Sequence, residues 1–414
     1  MKNILYVALL AGLSTPLGAQ QATVAGPDNR LKVEVFVEKG RPLYSVSYDG
    51  NVVLEKSPLG LETSVGDFHR NMTWQGDSIG HIQQTYQLDR IKHSTVHYEA
   101  NELTCRLTNA KGWPLQIIFR VSNQDIAFRY HLPQTTSTAC CVVKREATGF
   151  DFPQQTTTFL CPQASPMSGW ERTKPSYEEE YTPDEPIGTP SKEGLGYTFP
   201  CLFHVEDSHW VLLSETGVDG AYCGGHLGEG SANGLYTLAF PHPGENNGVG
   251  SATASIPLPG GTPWRTITVG DNLKPIVETT IPFDVVTPKY EPSIPYQYGR
   301  STWSWILWQD GSINYDDQVK FIDLAAAMGY EYTLVDNWWD TRIGRGRIEE
   351  LSAYAQSKGV HLFLWYNSNG HWSDAPQGPK QCMNSATDRK REMKWLHDIG
   401  VKGIKVDFFA GDKQ

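Results

Sequence analysis

"HDIGVKGIKVDFF", residues 397–409, joins the end of one element to the whole of another. The stretch before it, "SATDRKREMKWLHDIG", has helical spacing with Met393 and Leu396 on one face, and it stops at Gly400. Glycine tolerates the left-handed backbone that closes many helices, and here a β-type run, Val401 to Asp407, begins at once. The same phrasing recurs upstream. "DDQVKFIDLAAAMG" aligns Val319, Ile322 and Ala326 and ends at Gly329, and "GRIEELSAYAQSKG" aligns Ile348, Leu351 and Ala355 and ends at Gly359. Between and before them lie the strand-like runs "STWSWILW", "YTLVDNWW" and "VHLFLWYN". Strands apolar on both faces and joined by helices are parallel and covered on both sides. No glycine-rich phosphate turn follows the first strand, while polar or aromatic groups follow all four, which favours a (β/α)8 TIM-type barrel over an open doubly wound sheet. Residues 291–414 then supply about the first half of that barrel.

Upstream of a Pro-spaced connector, "IPFDVVTPKYEPSIPYQYGR", the rhythm is different. From residue 20 to 290 short alternating runs such as "LKVEVFVEKG", "PLYSVSYDG", "PLQIIFRVSNQ" and "HWVLLSETG" are broken by turn residues. Period-two alternation over this many strands predicts an antiparallel β-sandwich domain. A chain of 414 residues has room for two such domains, each with its own core.

Residues 1–19 read as a secretory signal peptide: Lys2, an apolar stretch from Ile4 to Leu13, then Gly18 and Ala19 before Gln20. That stretch is too short to span a bilayer and no Cys follows it, so a soluble protein exported to a periplasm, without a membrane anchor, is expected. The excess of 46 acidic over 35 basic residues, a formal charge of −11, has the wrong sign for tracking phosphate backbones, which excludes nucleic acid as the expected partner. Seven cysteines without metal-ligand spacing suggest neither a disulfide scaffold nor a zinc site. Thirteen Trp, nineteen Tyr and fifteen Phe suit a core and also suit sugar clefts, where CH faces stack on rings.

Candidate site residues gather at the strand ends. Lys405 and Asp407 are two apart, so both leave the same face of their strand. Such a pair serves either as a substrate-binding lysine beside an ionised carboxylate or as a structural ion pair. Asp336, followed by Trp338 and Trp339, suits hydroxyl binding beside an aromatic platform; a loop carboxylate is the alternative. Asn367 and His371 in "WYNSNGHW" are hydroxyl partners or turn residues, and His371 lacks a second ligand at metal spacing. In "SYEEEY" three adjacent carboxylates begin at Glu178; they suit a hard cation such as Ca2+ or form a solvated acidic loop.

Together the signal peptide, "VLLSETGVDGAYCGGHL", "STWSWILW", "LVDNWW", "LWYNSNG" and "GVKGIKVDFF" resemble glycoside hydrolase family 97, periplasmic α-glycosidases acting on terminal sugars. The resemblance implies a β super-sandwich, a catalytic (β/α)8 barrel and a C-terminal β domain. It further implies that Asp407 is the nucleophile of a retaining, α-galactosidase-like enzyme, since inverting α-glucosidase-type members lack a carboxylate there. Lys405 then contacts substrate hydroxyls, and Glu178 contributes to a calcium site. The family's acid/base glutamate falls beyond Gln414, so the chain is expected to be a fragment that is inactive by itself. Three other readings stay open: an α-glucosidase of the same family, a non-catalytic carbohydrate-binding protein, and a barrel lyase or aldolase forming a Schiff base on Lys405.

Overall fold

The computed structural model describes residues 21–165, 179–409 and 411–414; the leader expected at residues 1–19 and the candidate ligand Glu178 lie outside them. The alternating runs are strands. In Leu31–Glu38 the buried Leu31, Val33 and Val35 alternate with exposed Lys32 and Glu34, as half-buried sheet requires. The turn Asp49-Gly50 has positive φ at both positions (51° and 84°), the conformation that joins the antiparallel strands Arg41–Tyr48 and Asn51–Pro58 in two residues. These strands belong to a four-stranded antiparallel sheet that faces a ten-stranded one. The larger sheet contains the neighbours His209–Thr216, Trp264–Gly270, Asp125–Leu132 and Pro114–Val121. Tyr44 crosses the gap to the rings of Phe119 and Phe128, at centroid distances of 5.9 and 5.5 Å. Val33, Val46, Ile117, Phe203 and Ile267 join them in one continuous core. Each such side chain contributes about 1.5–3 kcal/mol on burial.

One polar group sits inside that core. Arg265, fully buried, donates to Glu146 through Nε (3.2 Å) and Nη2 (2.5 Å) and to Glu215 through Nη1. Tyr222 also donates to Glu146, at 2.7 Å. Burial opposes the Arg265 charge, but Glu146 and Glu215 outweigh it and its proton is held more tightly than usual.

After Trp264–Gly270, Asn272 accepts from the backbone N–H of Lys274 and caps the helix Leu273–Glu278, and the short helix Ile281–Val285 follows. Ile281 and Val285 cover Ala127 and Trp264 on the outer face of the large sheet. The chain then reaches four parallel strands, Ser301–Trp303, Tyr332–Val335, His361–Asn367 and Gly403–Asp407, paired in sequence order. The helices Tyr315–Met328, Arg345–Ser357 and Ala386–Asp398 connect them, the first and last capped by Asn314 and Ser385. Gly329, Gly359 and Gly400 follow them with φ of 64°, 76° and 82°. This is a β-sandwich followed by successive β/α units of a TIM-type barrel, the predicted fold class.

Several local readings change. "STWSWILW" is a strand only to Trp303; Trp305–Trp308 is one helical turn, with Ile306, Leu307 and Trp308 exposed. The fourth strand starts at Gly403, not Val401. On Tyr315–Met328 the buried face is Gln318, Phe321, Ile322 and Ala325, with Val319 and Ala326 at its margin, because Gln318 donates inward to Ser304 and the carbonyl of Ser312. Leu396 is buried but Met393 is not, whereas Ile348, Leu351 and Ala355 are all in the core. At Gly403 a Cβ would lie 2.5 Å from the Phe363 ring, so glycine there lets that ring fill the interior of the sheet. Among the described residues no helix is long and apolar enough to cross a membrane.

Beyond the fourth strand the chain returns to the sandwich. Gly224 N–H donates to the carbonyl of Asp412 at 2.7 Å, and Ser251 and Gln414 exchange backbone hydrogen bonds of 2.9 and 3.0 Å. Buried Glu245 accepts from the backbone N–H groups of His242 and Asp412, joining the two domains through one carboxylate.

Candidate active site

Parallel pairing sets the site. Phe363, Trp365 and Asn367 lie opposite Gly403, Lys405 and Asp407, and residues two apart share a face. Trp365, Asn367, Lys405 and Asp407 therefore occupy one side of adjacent strands, at their C-terminal ends. Asp336, the residue after the second strand, completes the row.

Lys405 Nζ is the hub. It donates to Asp336 Oδ2 at 3.1 Å and to Asp407 Oδ2 at 3.0 Å, and it stands 4.4 Å from the ring centre of Trp303. An ammonium over an indole face and between two carboxylates is a donor rather than a free nucleophilic amine, which removes support from the Schiff-base reading. Asp336 is 1% exposed. Its Oδ2 also accepts from Trp303 Nε1 (2.7 Å), and its Oδ1 accepts from the backbone N–H (2.7 Å) and side-chain amide (3.0 Å) of Asn337. Four donors converge on this carboxylate, the pattern of an acceptor-only group.

Asp407 differs. Its side chain is 44% exposed, and Trp365 Nε1 donates to Oδ2 at 2.7 Å. The backbone around it is held on both sides: Ser368 N–H donates to the Asp407 carbonyl at 2.9 Å, and Asn369 Nδ2 donates to the carbonyl of Phe408. Phe408 has φ of 60°, a left-handed conformation that a bulky side chain adopts only under constraint. The chain is thus turned sharply where a carboxylate faces solvent.

The other candidates are placed as follows. Asn367 is fully buried; its Nδ2 donates to the carbonyl of Gln377 and its Oδ1 accepts from Asn369 N–H, so it shapes the loop behind Asp407. His371 is exposed, edge-on to Trp372 at 5.5 Å. Trp338 has φ of 68° and lies partly buried against the helical core, with Arg342 over its ring at 5.6 Å. Its neighbour Trp339 is not a platform: it is fully buried, stacked on Trp395, and donates to the carbonyl of Trp365 at 2.8 Å. Glu179, next to Glu178, pairs with Lys192 at 3.7 Å, and among the described residues no group of three or more His, Cys, Asp or Glu could hold a metal.

Sequence reasoning missed Trp303 and Trp365. The signal available was parity: Trp365 precedes Asn367 by two and so shares its face. Trp303 carries no such mark, because nothing in "STWSWILW" shows that the strand ends there.

Comparison with known proteins places the two domains in one family. The glycosyl-hydrolase 97 N-terminal family matches residues 24–288, and the glycoside hydrolase 97 family matches residues 296–414. A solved beta-arabinopyranosidase is 61% identical, with a TM-score of 0.92 over 95% of this chain and 63% of that one. A probable retaining alpha-galactosidase of Streptomyces bingchenggensis is 25% identical over 99% of this chain and 61% of its own length. A retaining alpha-galactosidase of Bacteroides thetaiotaomicron is 25% identical over 100% of this chain and 64% of its own length. The chain thus spans less than two thirds of each of these relatives.

Proposed function

The chain belongs to the glycoside hydrolase 97 family, and from that premise we propose that Asp407 is the nucleophile of a retaining glycosidase that removes a terminal sugar from an oligosaccharide. The sugar is a β-L-arabinopyranosyl or α-D-galactopyranosyl residue. These two share the configuration of C1 to C4 and differ only by the hydroxymethyl group on C5, so one pocket recognises both ring faces. The 61% identity to a beta-arabinopyranosidase favours the arabinoside, and the two retaining alpha-galactosidases support the wider class.

The observation that carries the mechanism is the exposed carboxylate of Asp407 at the end of a parallel strand, with one oxygen held by Trp365 and Lys405. In a double displacement this carboxylate attacks the anomeric carbon while a carboxylic acid protonates the departing oxygen, and water then hydrolyses the glycosyl ester. Asp336 shares the Lys405 Nζ with Asp407, at 3.1 and 3.0 Å, so the two Oδ2 atoms stand no further apart than the sum of these. Four donors already converge on Asp336, and its role is to bind and orient Lys405. The proton donor is a further carboxylic acid, not assigned among the described residues.

The complete gene product, assayed on 4-nitrophenyl β-L-arabinopyranoside and α-D-galactopyranoside, tests this. Asp407→Asn is expected to lower kcat on the order of 10⁴-fold with folding intact, as loss of a nucleophile does, and NMR of the first-formed sugar should show the retained anomer. Wild-type rates in Asp407→Asn, or an inverted product, would overturn the proposal; sugar binding without turnover by the wild type would leave a carbohydrate-binding protein. Export through residues 1–19 to the periplasm belongs to the same proposal, and a mature N-terminus other than near Gln20 would refute it.

A further inference from the structure

The two oxygens of Asp407 are not equivalent. Trp365 Nε1 (2.7 Å) and Lys405 Nζ (3.0 Å) both donate to Oδ2, while Oδ1 receives no hydrogen bond among the described residues. Trp365 is itself fixed. Its ring is 1% exposed and meets Phe408 edge-on at 5.7 Å, and its carbonyl accepts from the buried Trp339. The donor thus sits on a strand interior, not on a loop, and it reaches the carboxylate from the neighbouring strand.

Resting on the nucleophile assignment above, we infer that Oδ1 is the attacking oxygen and that Trp365 is the positioning residue that makes it so. Two charge-assisted donors on one oxygen lock the rotation of the carboxylate and draw charge toward Oδ2, leaving the lone pairs of Oδ1 uncommitted. With an aryl or fluoride leaving group no proton is needed. A lone pair of Oδ1 forms the bond to C1 as the C1–leaving-group bond breaks, and its electron pair departs with the phenolate or fluoride. Oδ2 then becomes the carbonyl oxygen of the glycosyl ester and still accepts from Trp365. When water attacks C1, the C1–Oδ1 bond breaks, its electron pair returns to the carboxylate that Trp365 and Lys405 stabilise, and the surplus water proton passes to bulk water, so the same N–H serves both half-reactions.

Trp365→Phe deletes the N–H and keeps a ring. On glycosyl fluorides the expected loss is about tenfold to a hundredfold in kcat, the range for one hydrogen bond to a charged group, with KM nearly unchanged because the N–H points at the protein and not at the sugar. The titratable groups around Asp407 are Lys405 on its own strand and, through Lys405, Asp336 on the second strand; the third strand contributes Trp365 and the neutral Asn367.

A second measurement needs no loss of the tryptophan. The indole ¹⁵N–¹H signal of Trp365 is expected to shift in Asp407→Asn and on trapping with a 2-deoxy-2-fluoro glycosyl fluoride. An inactive Asp407→Asn with an unmoved indole signal, or a Trp365→Phe with wild-type kcat, overturns the positioning role alone. An active Asp407→Asn overturns the nucleophile assignment beneath it.

Discussion

Arg265→Met tests whether the ion cluster in the sandwich is held by pairing rather than by packing. Arg265 and Glu146 have side chains with no exposure, and Glu215 is nearly buried. Removing the guanidinium leaves two carboxylates facing one another without a counter-charge. Breaking a buried pair from one side costs about 3–5 kcal/mol, and one arginine here serves two partners, so about 4 kcal/mol is expected. For a domain of this size that lowers Tm by about 8–16 °C. The cost also depends on pH. Burial raises the Glu215 carboxyl above its ordinary value even with Arg265 opposing it. A carboxyl whose folded value exceeds its unfolded one binds its proton more tightly when folded, so stability is lost as pH rises from the ordinary carboxylate value, about 4.3, to the folded one. Without Arg265 that window widens, and the penalty is larger at pH 8 than at pH 5. Guanidinium unfolding followed by circular dichroism at both values reads this directly. The triple variant Arg265→Met, Glu146→Gln, Glu215→Gln should recover most of the loss, because it removes the stranded charges. A cost below about 1 kcal/mol for the single variant, or a triple variant no more stable than the single, would refute the reasoning.

Two further outcomes are expected. Burial pushes His226 down to about 4, so the unfolded chain binds its proton first and stability present above about pH 6.5 is lost as pH falls; between pH 7 and 5 this amounts to about 2 kcal/mol, absent in His226→Gln. Equal pH slopes for the two proteins would show that His226 is not the cause. Calcium, with Glu178 as one ligand, remains our proposal for the complete enzyme: chelation should abolish turnover and added Ca2+ restore it, and full activity after exhaustive chelation would remove the ion from the site.

Much of the fold was legible because it is written in local periods. The alternation in Leu31–Glu38 and the Asp49-Gly50 turn specify antiparallel sheet within a few residues. The passage from helix through Gly400 into a strand is equally short in range. Boundaries were less legible. "STWSWILW" has the composition of a long strand, yet the chain turns after Trp303 because Ser304 and Ser312 pair through their hydroxyls and the following turn is drawn down onto Gln318.

Within the candidate site the same division holds. That Lys405 and Asp407 point the same way follows from backbone geometry alone, since residues two apart on a strand share a face. Which residues meet them does not. Trp303, Asp336 and Trp365 come from three other segments, and only the order and register of the parallel strands bring an indole N–H to each of two carboxylates. Thirteen tryptophans look alike in the sequence. Trp339 goes into the helical core from the short helix that follows the second strand, whereas Trp365 reaches Asp407 from within a strand, and only the packing of the sheet decides which strand face holds the site.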